Sequence, residues 1–551
     1  MKKRFCFICT VFLISNAHYS QGLLALKPAV FTRQDSIRGS ITKEREWWDV
    51  KKYHLDIKVN TADSTISGSN TIKYQVLREY SSMQIDLQYP MMITKVLQDG
   101  QTLNYKREGN AYYIELIAPQ IKGASNELTV FYEGKPKIAV NPPWDGGITW
   151  KKDANGKWFI ASSCQGLGAS VWWPNKDHMY DEVENMLISV NVPGDLINVS
   201  NGRLQSVKKL KDGTKTFNWC VSNPINNYGV NINIGDYVTF SEQFKGEKGD
   251  LDCTYYVLRD NLTLAKKQFQ DVPRMLKAFE YWFGPYPFYE DSYKLVEAPY
   301  LGMEHQSSVT YGNQFKNGYL GRDLSGTGWG LKFDFIIIHE SGHEWFANNI
   351  TYKDIADMWI HESFTNYSES LFLEYYYGKD AGYTYVRGLR NIIQNDKPII
   401  GKYDVNNEGS GDMYPKGANM LHTIRQLVNN DEKWREILRG LNSTFYHQTV
   451  TTKQIEDYLS KQTGIDLSMV FNQYLRDIRV PKLEYSIKNN QLKYRWINSV
   501  QGFNMPLKIT LNGKDELLQP ENQWKTIPLS NNELKLVVDP NFYVESINAT
   551  E

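Results

Sequence analysis

Residues 336–364 read IIIHESGHEWFANNITYKDIADMWIHESF, with two histidines four apart, a glutamate directly after the first, and another glutamate after an apolar stretch. On a helix, His339 and His343 leave the same face one turn apart, so both imidazoles can reach one metal ion. A catalytic zinc needs three protein ligands and an open position for water, and that water needs a base to take its proton. Glu340, adjacent to the first histidine, is the candidate base. The third ligand has to come from another element. Glu362 follows His343 after eighteen residues, far enough for one helix to end near Asn348-Asn349, a turn to form at ITYKD and a second helix to carry the carboxylate. The competing reading of Glu362 is a solvated helix charge, but Trp359, Ile360 and Phe364 around it mark a packed segment. The spacing therefore predicts one zinc ion on His339, His343 and Glu362. His361 points about 100° away from Glu362 on such a helix and is expected to be structural or to support the site from behind.

The chain around this stretch reads as mostly helical. LTLAKKQFQDVPRMLKAFEYWFG (262–284) keeps Leu264, Phe269, Val272, Leu276, Phe279 and Phe283 on one apolar face before Gly284 and Pro285 end it. Further helices are predicted at 331–349, 358–377, 416–430, 432–443, 452–462 and 466–476, several opened by Asp, Thr or Ser. Upstream the period changes. YHLDIKVN, TIKYQV, ELTVFYEG and NMLISVNV alternate apolar and polar residues, as Tyr53, Leu55, Ile57 and Val59 show, which is the period of half-buried strands. Alternation returns after Pro481 in LEYSIKNNQLKYRWI, MPLKITLNG and LKLVVDP, joined by Asn-Asn and Asn-Gly turns. The fold class expected is multidomain α+β. Its parts are a signal peptide over 1–20, a linker over 21–44, a β domain over 45–245, a helical zinc domain over 246–478 and a small β unit over 479–551.

At 551 residues the chain is too long for one ordinary core. Hydrophobic residues make up 41% and charged residues 23%, the composition of a folded protein. Lys+Arg and Asp+Glu balance at 62 each, which removes any electrostatic argument for nucleic acid or an anionic membrane as partner. MKKRFCFICTVFLISNAHYSQG has a basic start at Lys2, Lys3 and Arg4, an apolar run from Phe5 to Ile14, and small residues around Ala17 and Ser20. That is the pattern of a cleaved export signal, so the mature protein is expected to be soluble, without stable membrane insertion, and periplasmic or extracellular. The remaining cysteines, Cys164, Cys220 and Cys253, permit one disulfide without choosing a pair.

HExxH, eighteen residues and then a glutamate resemble the gluzincin signature of the aminopeptidase N and leukotriene-A hydrolase family. Three further segments carry the same resemblance. FGPYPFYEDSYKLVEAPYLGMEHQ resembles the stretch ending in the family's G-x-M-E-N motif, here Gly302, Met303 and Glu304, with His305 in place of Asn. GDMYPKGANML resembles Y-x-K-G-A and puts the family's tyrosine at Tyr414. ASSCQGLGASVWWPNKD resembles the strand that carries a substrate-contacting glutamine, here Gln165. The likeness runs from about residue 45 to the end; HESF stands where N-E-G-F is common, and no ligand or base is lost.

The resemblance implies a saddle-like N-terminal β domain, a thermolysin-like catalytic domain and a short C-terminal β-sandwich. It also implies an aminopeptidase that hydrolyses the first peptide bond of peptides with a free N-terminus. Glu304, with Gly302 and Met303 before it, would hold the substrate ammonium, since opposite charges attract strongly away from water. Gln165 could share the amine through its amide oxygen, or be a core or surface amide. Tyr414 would donate to the oxyanion. Two other functions use the same metal: a thermolysin-type endopeptidase, in which Glu304 has no task, and a peptide-binding relative without catalysis. The preferred first residue, the peptide length limit and the oligomeric state are not legible.

Overall fold

The computed structural model describes residues 30–530 and 535–549; the expected signal peptide and the first part of the expected linker lie outside the described residues. Alternation upstream becomes sheet. The strand Trp48–Asn60 buries Tyr53, Leu55, Ile57 and Val59 and sits inside an eight-stranded sheet, parallel to Asn185–Pro193 and antiparallel to Thr65–Val76. A three-stranded and a four-stranded sheet complete this domain. Its core extends from Trp47 to Tyr237 and takes in Val296, Ala298, Tyr300 and Met303, so it reaches the residue before Glu304.

The linker expected over 21–44 is a correction. Residues Arg33–Gly39 form a helix capped by Thr32, and Lys43–Glu46 a shorter turn of helix. Buried Arg45 pairs with Asp86 at 2.7 Å, Arg38 with Asp177 at 3.4 Å, and the Gly39 carbonyl meets the His178 ring at 3.1 Å. A short polar segment becomes ordered here because the β domain offers buried carboxylates to its arginines.

The catalytic sheet runs in the order Tyr237–Gly246, Gly249–Leu258, Tyr293–Glu297, Val309–Tyr311, Gly302–Met303. The boundary expected at 245/246 therefore cuts its first strand, and the hairpin 237–258 belongs with the catalytic sheet. The single helix expected over 262–284 is two, Leu262–Gln268 and Asp271–Phe283. Pro273 has no N–H to continue the first helix, so it sits in the first turn of the second. Leu264, left on the detached piece, is 53% exposed. The helices Trp359–Tyr377, Pro415–Val428, Asp431–Thr444, Thr452–Thr463 and Ser468–Leu475 form near their predicted positions. Lys379–Gly388 is a further helix that the glycines at 378, 382 and 388 concealed.

Beyond Pro481 two sheets, of four and three strands, contribute Leu483, Leu492 and Trp496 from one and Leu507, Ile509 and Leu518 from the other to a common core, the expected C-terminal β-sandwich. Its hairpins turn at Asn489-Asn490 and Asn512-Gly513, all four residues at positive φ. Its apolar residues merge with the catalytic core, so the two share one hydrophobic interior. Cys164, Cys220 and Cys253 are all free thiols. No described helix is long and apolar enough to cross a membrane.

Candidate active site

The helix Phe335–Gly342 begins where Asp334 accepts hydrogen bonds from the Ile336 and Ile337 amides. Its three isoleucines are buried; Ile336 shares the face of His339, Glu340 and His343, whereas Ile337 and Ile338 lie off it by helical spacing. The helix predicted over 331–349 stops short. After His343 the chain makes one wide turn, closed by hydrogen bonds from Asn348 N to His343 O (3.0 Å) and Asn349 N to Glu344 O (3.1 Å), and Phe346 leaves helical geometry. That break frees the Phe346 carbonyl, which accepts from His343 Nδ1 at 3.0 Å. The segment ITYKD, expected as a turn, contains a short strand, Ile350–Tyr352, paired with Gln448–Val450.

Glu362 lies in the first turn of the helix Trp359–Tyr377 and faces the two histidines. Its Oε2 stands 3.4 Å from His343 Nε2 and 3.8 Å from His339 Nε2. Ligands bound at ~2.0–2.1 Å in tetrahedral geometry stand roughly 3.3 Å apart, so these atoms surround a zinc-sized position. That oxygen is buried and has no hydrogen-bond partner, and an orphaned buried carboxylate oxygen is costly unless a cation meets it. Burial acts to raise the Glu362 carboxyl, yet His343 and His339 hold it well below the ordinary range, in the anionic form a metal requires. His339 Nδ1 is 2.8 Å from Glu369 Oε1. With each Nδ1 directed at an acceptor, each Nε2 keeps its lone pair toward Glu362. The donor set fits zinc.

The other predicted residues line the same cleft of about 350 Å³: Gln165, Gly302, Met303, Glu304, Glu340 and Tyr414. Gly302 and Met303 form the edge strand, paired to Tyr311 and Thr310. A Cβ on Gly302 would stand 2.8 Å from Glu340 Oε1 and 2.7 Å from Ile336 Cγ2, so only glycine lets the edge strand lie on the metal helix. Glu304 is buried, and Tyr228 donates to its Oε1 at 3.1 Å. Burial raises its carboxyl, with His343 opposing and Glu362 adding. Burial likewise pushes Glu340 up to about 7, against the pull of His339 and with the push of Glu304. Burial and the surrounding carboxylates raise the Tyr414 phenol well above its ordinary value, so it remains a donor. Its ring stacks near His339, with centroids 5.9 Å apart. The Gln165 amide nitrogen donates to Glu362 Oε1 at 3.0 Å, so it reaches a carboxylate of the candidate metal site as well as the cleft.

His361 and His305 take no part in the cleft wall. The Tyr352 amide donates to His361 Nε2 at 3.0 Å and the two rings stack at 4.2 Å. His305 is fully buried with only a long contact to Thr310, and burial lowers its pKa to about 3. Sequence reading missed several supporting residues. Glu369, two helical turns after Glu362, orients His339 and also accepts from the Tyr385 hydroxyl at 2.6 Å; its i+7 spacing was the available signal. Glu344 accepts from the Ser307 amide (3.0 Å), and Asn348 donates to the Glu304 carbonyl (2.9 Å), which ties the Glu304 loop to the metal helix. Glu408 also lines the cleft.

Residues 268–474 match the Peptidase family M1 domain and residues 50–228 the Peptidase M1 N-terminal domain. The chain is 21% identical to Probable aminopeptidase 2 of Sulfurisphaera tokodaii over 77% of its own length, and 22% identical to leukotriene A-4 hydrolase of Xenopus laevis over 75%. It spans 54% of the first of these relatives and 68% of the second. An M1 zinc metallopeptidase from Deinococcus radiodurans, solved with a Tyr-Ser-Ala substrate, superposes with a TM-score of 0.65 at 20% identity, covering 79% of this chain and 95% of that one. With both domain matches in chain order and the metal-ligand geometry inside the second, this chain belongs to peptidase family M1.

Proposed function

We propose that the protein is a zinc-dependent aminopeptidase that hydrolyses the first peptide bond of peptides with a free N-terminus. His339, His343 and Glu362 would hold the zinc ion, which would supply Lewis acidity to the scissile carbonyl and to the attacking water. The chain's own groups do the rest. Glu304, beside Gln165, draws in the substrate ammonium and sets the first peptide bond over the metal position. Glu340 accepts the proton of the attacking water and delivers it to the leaving amine. Tyr414 donates its O–H to the carbonyl oxygen as negative charge develops there. Glu369 and the Phe346 carbonyl keep both imidazoles in the ligating tautomer.

One observation carries the exopeptidase reading over the endopeptidase one. Glu304, Glu340 and His343 offer atoms within 4.8 Å of one another, directly beside the metal position, and no lysine or arginine pairs with Glu304 among the described residues. A buried acid there has a task only if a cation arrives with the substrate. The relatives named as aminopeptidases support the same reading. One peptide offered with a free and with an acetylated N-terminus tests it: cleavage of the free form alone is expected, and equal cleavage of both favours the endopeptidase.

We also propose export to the periplasm or cell exterior, supported by the basic and apolar pattern over residues 2–14. N-terminal sequencing of protein from the native host should start near residue 21; a chain still beginning at Met1 overturns it.

A further inference from the structure

Three directions lead away from the reacting centre. Glu304 and Gln165 close one. The second opens past His339, Glu340 and Tyr414 into a largely apolar cavity of about 430 Å³ walled by Leu301, Phe335, Ile336 and Leu389. The third is left for the side chain of the first residue. On that side the buried Met358 and Met413 line the cleft together with Gly166, and a polar cavity of about 510 Å³ shares Trp144, Gln165, Gly166 and Glu408 with the cleft.

Glu408 stands at that junction. Its Oε2 lies 3.7 Å from the point where a Cβ on Gly166 would sit, next to the Gln165 that touches Glu362. The loop beneath it is pinned: the Gly401 amide donates to Ala356 O (3.0 Å), the Ser410 amide to Pro398 O (2.9 Å) and the Asn406 side chain to Gly166 O (3.2 Å). The carboxylate itself is open to the cavity, and among the described residues no hydrogen bond or ion pair engages it. Lys397 is the cation whose field reaches it. Neighbouring acids are engaged: Asp86 with Arg45 (2.7 Å), Asp145 with the Val140 and Asn141 amides (2.7 and 2.9 Å), Asp35 with the Thr32 hydroxyl (2.7 Å). Arg38, the basic residue of that cavity, is committed to Asp177.

We propose that Glu408 determines specificity, selecting peptides whose first residue is arginine or lysine: Met358 and Met413 flank the methylene stem, and the carboxylate accepts from the cationic head. Long basic side chains combine an apolar stem with a charged tip, the sequence of surfaces this passage presents. The inference rests on the aminopeptidase reading, because the position of the first side chain follows from the ammonium at Glu304.

Arginine and citrulline have nearly the same shape and differ in charge, so the pair isolates the contact. Peptides beginning with each should differ in kcat/KM by roughly 10–100-fold in favour of arginine, the range for a hydrogen bond to a charged group. In Glu408→Gln that ratio should fall at least tenfold, with zinc content unchanged. Equal use of both peptides by the wild type, or a ratio that Glu408→Gln leaves intact, overturns the proposal while the aminopeptidase reading stands. Failure to cleave any peptide with a free N-terminus refutes that reading instead. Calorimetry on the zinc-loaded Glu340→Gln variant then tests Glu408 without turnover. L-Arginine binding more tightly than L-citrulline supports the contact, and equal binding removes it.

Discussion

The proposed metal-binding wall of the cleft comes from residues 339–369, two helices and the segment between them, whereas the proposed amine-binding wall is gathered from positions 165, 228 and 304. In the first, helix geometry does most of the positioning: residues four apart share a face, and the carboxylate that orients His339 lies two turns beyond the one that faces the metal. In the second, long-range hydrogen bonds do it. Tyr228 reaches Glu304 from the β domain, and Asn348 and Glu344 hold the Glu304 loop to the metal helix. The contrast separates two failures: damage to the first wall should cost the metal, and damage to the second should cost substrate registration while the metal remains.

The largest effect expected is that of His343→Ala, which removes a ligand from the local wall. Turnover should fall to background and metal analysis should show an empty site; one tightly held zinc per chain in that variant would break the assignment. Next comes the distant wall. Glu304→Ala should lower kcat/KM by about 10²–10³-fold, the cost of removing one partner of a desolvated charge pair, with zinc retained. Loss of zinc in that variant would show that the two walls are not independent. Glu369→Gln should weaken zinc binding by about 10–100-fold, as for other residues that orient a ligating histidine. Competition with a chelator reads this directly, and an unchanged affinity would leave His339 oriented by helix packing alone. The smallest effect is that of Tyr228→Phe, which removes one hydrogen bond to Glu304 and should raise KM roughly 3–10-fold. A lower kcat at constant KM would instead tie Tyr228 to the chemistry.

How much could be read in advance follows the same division. His339, His343 and Glu362 are legible because a metal site needs particular donors at helical spacing, and the strand alternation of Tyr53, Leu55, Ile57 and Val59 is legible because one face of a sheet is buried. Glu369 escaped notice because a glutamate two turns along a helix has many uses until a histidine is seen 2.8 Å away. The helix Lys379–Gly388 escaped because glycine lowers propensity while tertiary packing overrides it. The order of residues 33–46 escaped because it depends on buried carboxylates far along the chain.

By itself the sequence determined the local chemistry: which residues can ligate, which can act as a base, and which strands and helices carry them. These depend on residue type and on periodicities of a few residues. Tertiary structure alone decided the break after His343 that turns the Phe346 carbonyl onto the ring, the need for glycine at 302 where an edge strand crosses the metal helix, and the meeting of Gln165, Tyr228, Glu304 and Glu408 around one cleft. Apart from the local His343–Phe346 contact, those are contacts between residues tens to hundreds of positions apart, and their cause is the packing of two cores against each other, which no short window of sequence contains.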